Sequence, residues 1–269
     1  MKPFYLILSG LMLTQLNFCF SQNSDPSDPK GTTFAPTGSY RAIKKSKNFI
    51  AYDPKGTTYV HTGSYRAKKN NADTATSLIS VQSFFITNEI TNKEYREFTD
   101  YANSHLNDSI MRVELGEKTP TRNFKIISHT YKEIIKSLID STAMAKEYSD
   151  NSEMHNKYKN YFTDKKFDNY PVVGVSYNAA RYYCIWKTTQ EEENKILKKK
   201  GQSVFFNFRV PLIEESDYVS SISANSEASG AKAEVQEVQE VKSGKPNQRG
   251  LYNLSGNVSE WTSSPRQSG

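Results

Sequence analysis

Few side chains in this sequence are equipped for catalysis. There are two cysteines, Cys19 and Cys184, and four histidines, His61, His105, His129 and His155. No two of the histidines form a His-x-x-x-His or comparable ligand pair, so neither a zinc helix nor a histidine-held iron is written here. A Gly-x-Ser-x-Gly elbow and a phosphate-binding glycine loop are also absent from the sequence. The segment with the most chemical promise is GLYNLSGNVSEW, Gly250 to Trp261. Its glycines and asparagines beside Leu, Tyr and Trp describe a tight loop held against a core, and such loops offer oxygen ligands to a hard cation. Cys184 falls on the apolar stripe of a helix pattern and reads as a core thiol rather than a nucleophile.

The background that must position these residues is a chain of 269 residues, 36% hydrophobic and 24% charged, with mean hydropathy -0.70. That is enough for one sizeable core with appendages, and too polar for a multi-span membrane protein. An aromatic share of 12% excludes a disordered chain. The net charge of +6 is spread along the sequence rather than gathered in a stripe, so no nucleic-acid footprint is present. Residues 1–21 read as a signal peptide: Lys2, an apolar run from Phe4 to Leu13, then a cleavage region ending near Ser21. Export to the periplasm or outer membrane is expected. Lipidation at Cys19 is the alternative, against which stands the large Phe18. Losing Cys19 with the signal leaves Cys184 alone, without an internal disulfide.

Residues 22–56 form a polar arm carrying a repeat, DPKGTTFAPTGSYRA at Asp28 to Ala42 and DPKGTTYVHTGSYRA at Asp53 to Ala67. Each copy combines a turn, a short Thr/aromatic strand and a Gly-Ser bend. The repeat reads as a hairpin-like arm whose basic residues could touch lipid headgroups or polysaccharide, or as a solvated linker. Residues 57–269 form the main domain. A strand is expected over Leu78 to Ile86, then a capping box at Thr91 and Glu94 opening a helix with Tyr95, Phe98 and Ala102 inward. Residues 108–167 read as a helical insertion, best patterned at Tyr131, Ile134, Ile135, Leu138 and Ile139. A buried strand follows from Tyr170 to Val175, then a helix capped by Ser176 with Ala179, Ala180, Tyr183 and Cys184 on one stripe. Another strand is expected from Phe205 to Leu212, and a short helix opening at Glu214-Glu215. Residues 220–246, rich in Ser, Ala, Glu and Gln, read as a flexible insertion.

Three ordered segments, NEITNKEYREF (Asn88 to Phe98), YPVVGVSYNAARYYCIW (Tyr170 to Trp186) and GLYNLSGNVSEW, resemble the sulfatase-modifying factor family, whose founder is the formylglycine-generating enzyme. FRVPLIEESDY (Phe208 to Tyr218) is similar to that family's Arg-Leu-Pro-Thr-Glu-x-Glu-Trp-Glu segment through Arg209, Pro211, Leu212, Glu214 and Asp217. Within the family the match is nearest to gliding-motility lipoproteins of the type IX secretion apparatus. The cues are the Tyr-Pro-Val-Val-Gly-Val-Ser run, Asp108-Ser109-Ile110 and Trp186-Lys187-Thr188.

The resemblance implies an α+β fold of irregular, low secondary structure, related to the C-type lectin fold and incomplete at its C-terminus. The founder oxidises a substrate cysteine with a cysteine pair that binds copper, located beyond the Gly-Asn-Val-x-Glu-Trp loop. No such pair is matched in this sequence, so no catalytic residue is assigned and copper is not expected. The resemblance also carries over a structural calcium loop, with Asn257 and Glu260 as ligands and the backbone of Ser255, Gly256 or Val258 completing the shell. Against it stands the reading in which Asn257 caps a turn and Glu260 faces water. The expectation is an exported, non-catalytic module with envelope or outer-membrane protein partners. A truncated copper oxidase and a glycan-binding adhesin are the alternatives.

Overall fold

The computed structural model of the chain describes residues 56–68, 76–115, 124–191, 208–224, 237–247, 250–252 and 257–263. Residues 1–21, expected as a signal peptide, and the first repeat copy lie outside the described residues. The chain divides into two compact units, Met1–Ile86 with Thr188–Phe208, and Thr87–Lys187 with Arg209–Gly269.

The first unit is built from short strands: β1 (Thr57–Val60), β2 (Gly63–Lys68), β3 (Thr76–Val81) and β4 (Phe84–Thr87). β1 pairs with β4, and β2 pairs antiparallel with β3, with Tyr65 opposite Ile79 and Ser64 opposite Ser80. The second repeat copy therefore supplies two strands, β1 and β2, joined at His61-Thr62. Val60 and Phe84 are fully buried, and Tyr65, Val81 and Phe85 are buried as well. The expected single strand from Leu78 to Ile86 is two strands. The break falls at Ser83, whose backbone N–H goes to Thr62 Oγ1 at 3.0 Å instead of to a ladder.

The second unit begins with α1 (Asn92–Ser104). A hairpin follows, β5 (Ser109–Leu115) against β6 (Phe124–Thr130), antiparallel with Ile110 opposite His129. The 108–167 stretch thus opens with β-structure that its helical reading did not anticipate. The Tyr131 to Ile139 pattern is realised as one turn, α2 (Tyr131–Ile134), running into a 3₁₀ turn (Ile135–Ser137). Then come α3 (Ala143–Glu147), α4 (Ser152–Tyr158), a 3₁₀ turn (Lys165–Phe167), α5 (Tyr177–Gln190) and α6 (Ile213–Ala224).

Aromatic side chains fill the interior. One cluster joins Tyr95, Phe98 and Ala102 of α1 to Tyr182, Tyr183 and Trp186 of α5, with Tyr131, Leu138 and Phe162. Tyr95 stacks on Tyr183 at 5.4 Å, and Phe98 lies 5.3 Å from Trp186. Each of these rings contributes about 2–3 kcal/mol by leaving water. The buried face of α5 is Ala179, Tyr182, Tyr183 and Trp186, whereas Ala180 and Cys184 are partly exposed, a shift from the expected stripe. A second cluster gathers Met144, Tyr158, Tyr161, Phe167 and Val238.

Among the described residues, two expected strands are not formed. Tyr170 to Val175 makes a single bridge, Thr91 with Pro171, and continues as irregular backbone. Gly174 explains why: its φ of +83° turns the chain out of extended geometry. Of Phe205 to Leu212, residues 205–207 lie outside the described residues and 208–212 form no strand. The short helix expected at Glu214 continues to Ala224, absorbing the first five residues of the 220–246 stretch. At its other end, Val238 is buried and Val241 donates its N–H to the Asn169 carbonyl at 2.9 Å. Both ends of that stretch are held by the core, and residues 225–236 lie outside the described residues.

Candidate functional site

The first motif is laid down by local chemistry. Thr91 is the N-cap of α1: its Oγ1 accepts from the Glu94 N–H at 3.2 Å while the Glu94 carboxylate accepts from the Thr91 N–H at 2.9 Å. The cap fixes where α1 starts and so turns Asn92 inward. Asn92 is fully buried, and its Nδ2 donates to the carbonyls of Phe167 at 3.0 Å and Tyr161 at 3.3 Å. Its own backbone N–H goes to the Tyr170 carbonyl at 2.8 Å. One turn on, Arg96 binds the Phe162 carbonyl and the Asp168 carboxylate. Two tyrosines finish the seam, Tyr95 Oη donating to the Leu138 carbonyl and Tyr161 Oη to the Pro171 carbonyl, both at 2.8 Å. Burial raises the hydroxyl pKa of both.

The second motif is a buried ion pair. Arg209 meets Glu215 with two parallel bonds, Nη1 to Oε2 at 2.9 Å and Nη2 to Oε1 at 2.7 Å. Glu215 Oε2 also accepts from the Leu212 N–H at 2.8 Å, tying the ion pair to the start of α6. Glu215 is 4% exposed, so two-point pairing and a backbone donor are what allow the carboxylate to stay inside. The resemblance was carried by Glu214 and Asp217; the acid that pairs with Arg209 is their neighbour Glu215, which the sequence reading did not single out. The signal that distinguishes them is burial, since Glu214 is partly exposed.

Of the expected calcium ligands, Asn257 uses both amide atoms on one residue: Oδ1 accepts from the Gln239 N–H at 2.9 Å and Nδ2 donates to the Gln239 carbonyl at 3.0 Å. It imitates a strand partner and pins the 237–243 segment. Val258, three residues before Trp261, packs on the Tyr158 cluster, and Ser255 and Gly256 lie outside the described residues. Glu260 is exposed at the surface but crowded by protein on its inner side. That desolvation first, and the Glu89 carboxylate second, raise its pKa. The arrangement brings Asn257 onto Gln239 and leaves Glu260 at the surface, as in the reading where Asn257 holds a turn and Glu260 faces water. Among the described residues no three of His, Cys, Asp or Glu converge on one point.

Trp261 closes the segment half-exposed, its Nε1–H donating to the Val175 carbonyl at 2.8 Å and its ring meeting Tyr177 edge to face at 5.8 Å. Cys184 sits on α5 where desolvation pushes its thiol up to about 12, opposed only partly by Arg209. The histidines are dispersed: His61 packs on Tyr59, His105 stacks on Tyr101, His129 faces Tyr182 and His155 meets the Ala145 carbonyl.

The Thr91–Arg96, Arg209–Glu215 and Asn257–Gln239 contacts thus turn the polar residues of three separate motifs onto the protein's own backbone. No curated protein matches the chain significantly. The sulfatase-modifying factor enzyme 1-like domain matches residues 44–268, most of the sequence. With mixed helices and small antiparallel sheets around these motifs, the chain belongs to the sulfatase-modifying factor family.

Proposed function

We propose that this chain is an exported, non-catalytic family module that serves as a binding or scaffold component of the cell envelope, of the gliding-motility and type IX secretion kind. The observation that carries the reading is where the motif side chains go. Asn92, Arg96, Glu215 and Asn257 are engaged by backbone groups and ion pairs of the same chain. Residues committed in this way hold a scaffold rigid and leave the surface to recognise partners. Cys184 supports the same reading, because a thiol with a pKa near 12 is almost wholly protonated at neutral pH and is a poor nucleophile. In this proposal calcium, held by Asn257, Glu260 and neighbouring carbonyls, stiffens the loop before Trp261.

The family match favours one other reading, a copper-dependent oxidase acting on substrate cysteine. Both are tested on the protein purified from its own envelope fraction. The scaffold reading expects co-purification with outer-membrane proteins after mild crosslinking, and an unchanged mass for a cysteine-containing peptide incubated with the protein, copper and oxygen. Conversion of that peptide, together with elution of the protein as a free monomer, would refute it. Terbium luminescence titration reads the calcium loop separately, and a signal indifferent to Glu260→Gln would remove calcium from the proposal.

A further inference from the structure

The repeat acquires a structural meaning once its second copy is seen folded. Residues 57–68 of that copy are β1 and β2, and they occupy slots offered by β4 and β3. The first copy is identical at twelve of fifteen positions, 28–42 against 53–67. The identical positions include two that make contacts in the second copy. Thr62, whose Oγ1 receives the Ser83 N–H, corresponds to Thr37; buried Tyr65, opposite Ile79, corresponds to Tyr40. Only Phe34, Ala35 and Pro36 differ, from Tyr59, Val60 and His61. In the same slots Pro36 would stand where the exposed His61 lies between the strands, a place that tolerates a fixed φ, and it would bias Ala35 toward extended backbone as β1 requires. The larger cost lies at Val60, which is fully buried, so that Ala35 would leave part of that space empty; Pro36 would also lack the edge contact of His61 with the Tyr59 ring at 4.7 Å.

We propose that the first repeat copy can exchange with the second in the β3 and β4 slots of the same chain, so that the N-terminal arm has two lengths. The exchange moves the point at which the arm leaves the folded unit by 25 residues, from 53 to 28. Fully extended, that is about 80 Å of reach. Two factors set the bias toward the second copy. Losing the buried part of Val60 disfavours the first copy roughly 10- to 20-fold. The connection to β3 also grows from residues 69–75 to residues 44–75, a further factor of about ten in closure.

The test traps each register with a disulfide in the full-length chain carrying Cys19→Ser. Ser64 and Ser80 are exposed cross-strand partners, and Ser39 is the repeat equivalent of Ser64. With Ser39→Cys, Ser64→Cys and Ser80→Cys together, position 80 bonds to 64 in the register seen and to 39 in the exchanged one. Peptide mapping by mass spectrometry after mild oxidation is expected to find the 39–80 bond as a minority species. Adding Val60→Ala should raise its share about tenfold, and adding Ala35→Val as well should raise it again. Ser46→Cys in place of Ser39→Cys has no matching register and should bond to position 80 far less often. Equal capture from positions 39 and 46, no response to Val60→Ala, or a 39–80 bond found only in covalent dimers would each overturn the proposal.

Discussion

Gly174 is the position where a single methyl group should do most damage. Its φ is +83°, and a Cβ built there would stand 2.3 Å from the Asp140 carbonyl oxygen and 2.8 Å from the Ala143 Cβ. The same turn is closed by the Asp140 N–H on the Gly174 carbonyl at 2.9 Å. For Gly174→Ala the left-handed backbone costs about 1–2 kcal/mol, and forcing the clash apart adds about 1–3 kcal/mol. Loss of the Asp140 bond adds about 1 kcal/mol. The expected total is about 3–6 kcal/mol, a large share of the about 5–15 kcal/mol that holds a typical domain together. The control is Gly244→Ala, whose glycine has φ +76° but nothing within 4 Å of its Cβ, so it isolates the backbone part. Urea unfolding of both variants, followed by tryptophan fluorescence, measures the difference. If the two variants lose the same stability, the close approach at Asp140 is not what requires glycine, and the reasoning fails.

Arg209→Ala should cost about 2–4 kcal/mol because it strands the buried Glu215 carboxylate, and Arg209→Lys should recover only part, since an ammonium cannot make both bonds; chemical denaturation checks both. Asp140 has its pKa lowered to about 2 by the Lys146 ammonium first and the Thr142 hydroxyl and N–H next. Its stabilising contribution is therefore present above the unfolded value near pH 4 and is lost as pH falls toward 2. Melting temperatures scanned from pH 5 to 2 should show an acid-dependent loss that Asp140→Asn lacks; parallel curves would refute this. Cys184 should react with a thiol reagent at pH 8 more slowly in the native Cys19→Ser chain than after unfolding, and labelling at the unfolded rate would contradict its raised pKa.

What was legible in the sequence was local. The Thr91/Glu94 box and the Ser176 cap, whose Oγ accepts the Ala179 N–H at 3.2 Å, involve residues three apart, and spacing alone reveals them. Assignments that depended on distant partners went astray. Tyr170 to Val175 carries strand residues, yet its backbone is satisfied by Ile90 and Asn92 across one short contact, and Gly174 then bends it away. Val238 lies in a Glu-Val-Gln run that reads as solvated, but it is buried because Asn257 and Asn169 fasten its neighbours Gln239 and Val241. Glu214 and Glu215 are indistinguishable by type, and only the reach of Arg209 selects the second. Asn257 stood out as a residue type, but its backbone partner at Gln239 did not.

The buried Asn92 has a consequence for how the chain comes together. Its carbonyl partners, Tyr161 and Phe167, follow it by 69 and 75 residues. The cap at Thr91 lets α1 form as soon as its own residues are free, but its inner face carries an amide that finds no partner until that later stretch arrives. A growing or threading chain therefore holds a ready helix whose docking is delayed, and premature burial against the wrong surface is penalised by the stranded amide. One side chain thus ties the docking of α1 to a stretch that begins only after about half of its unit in sequence.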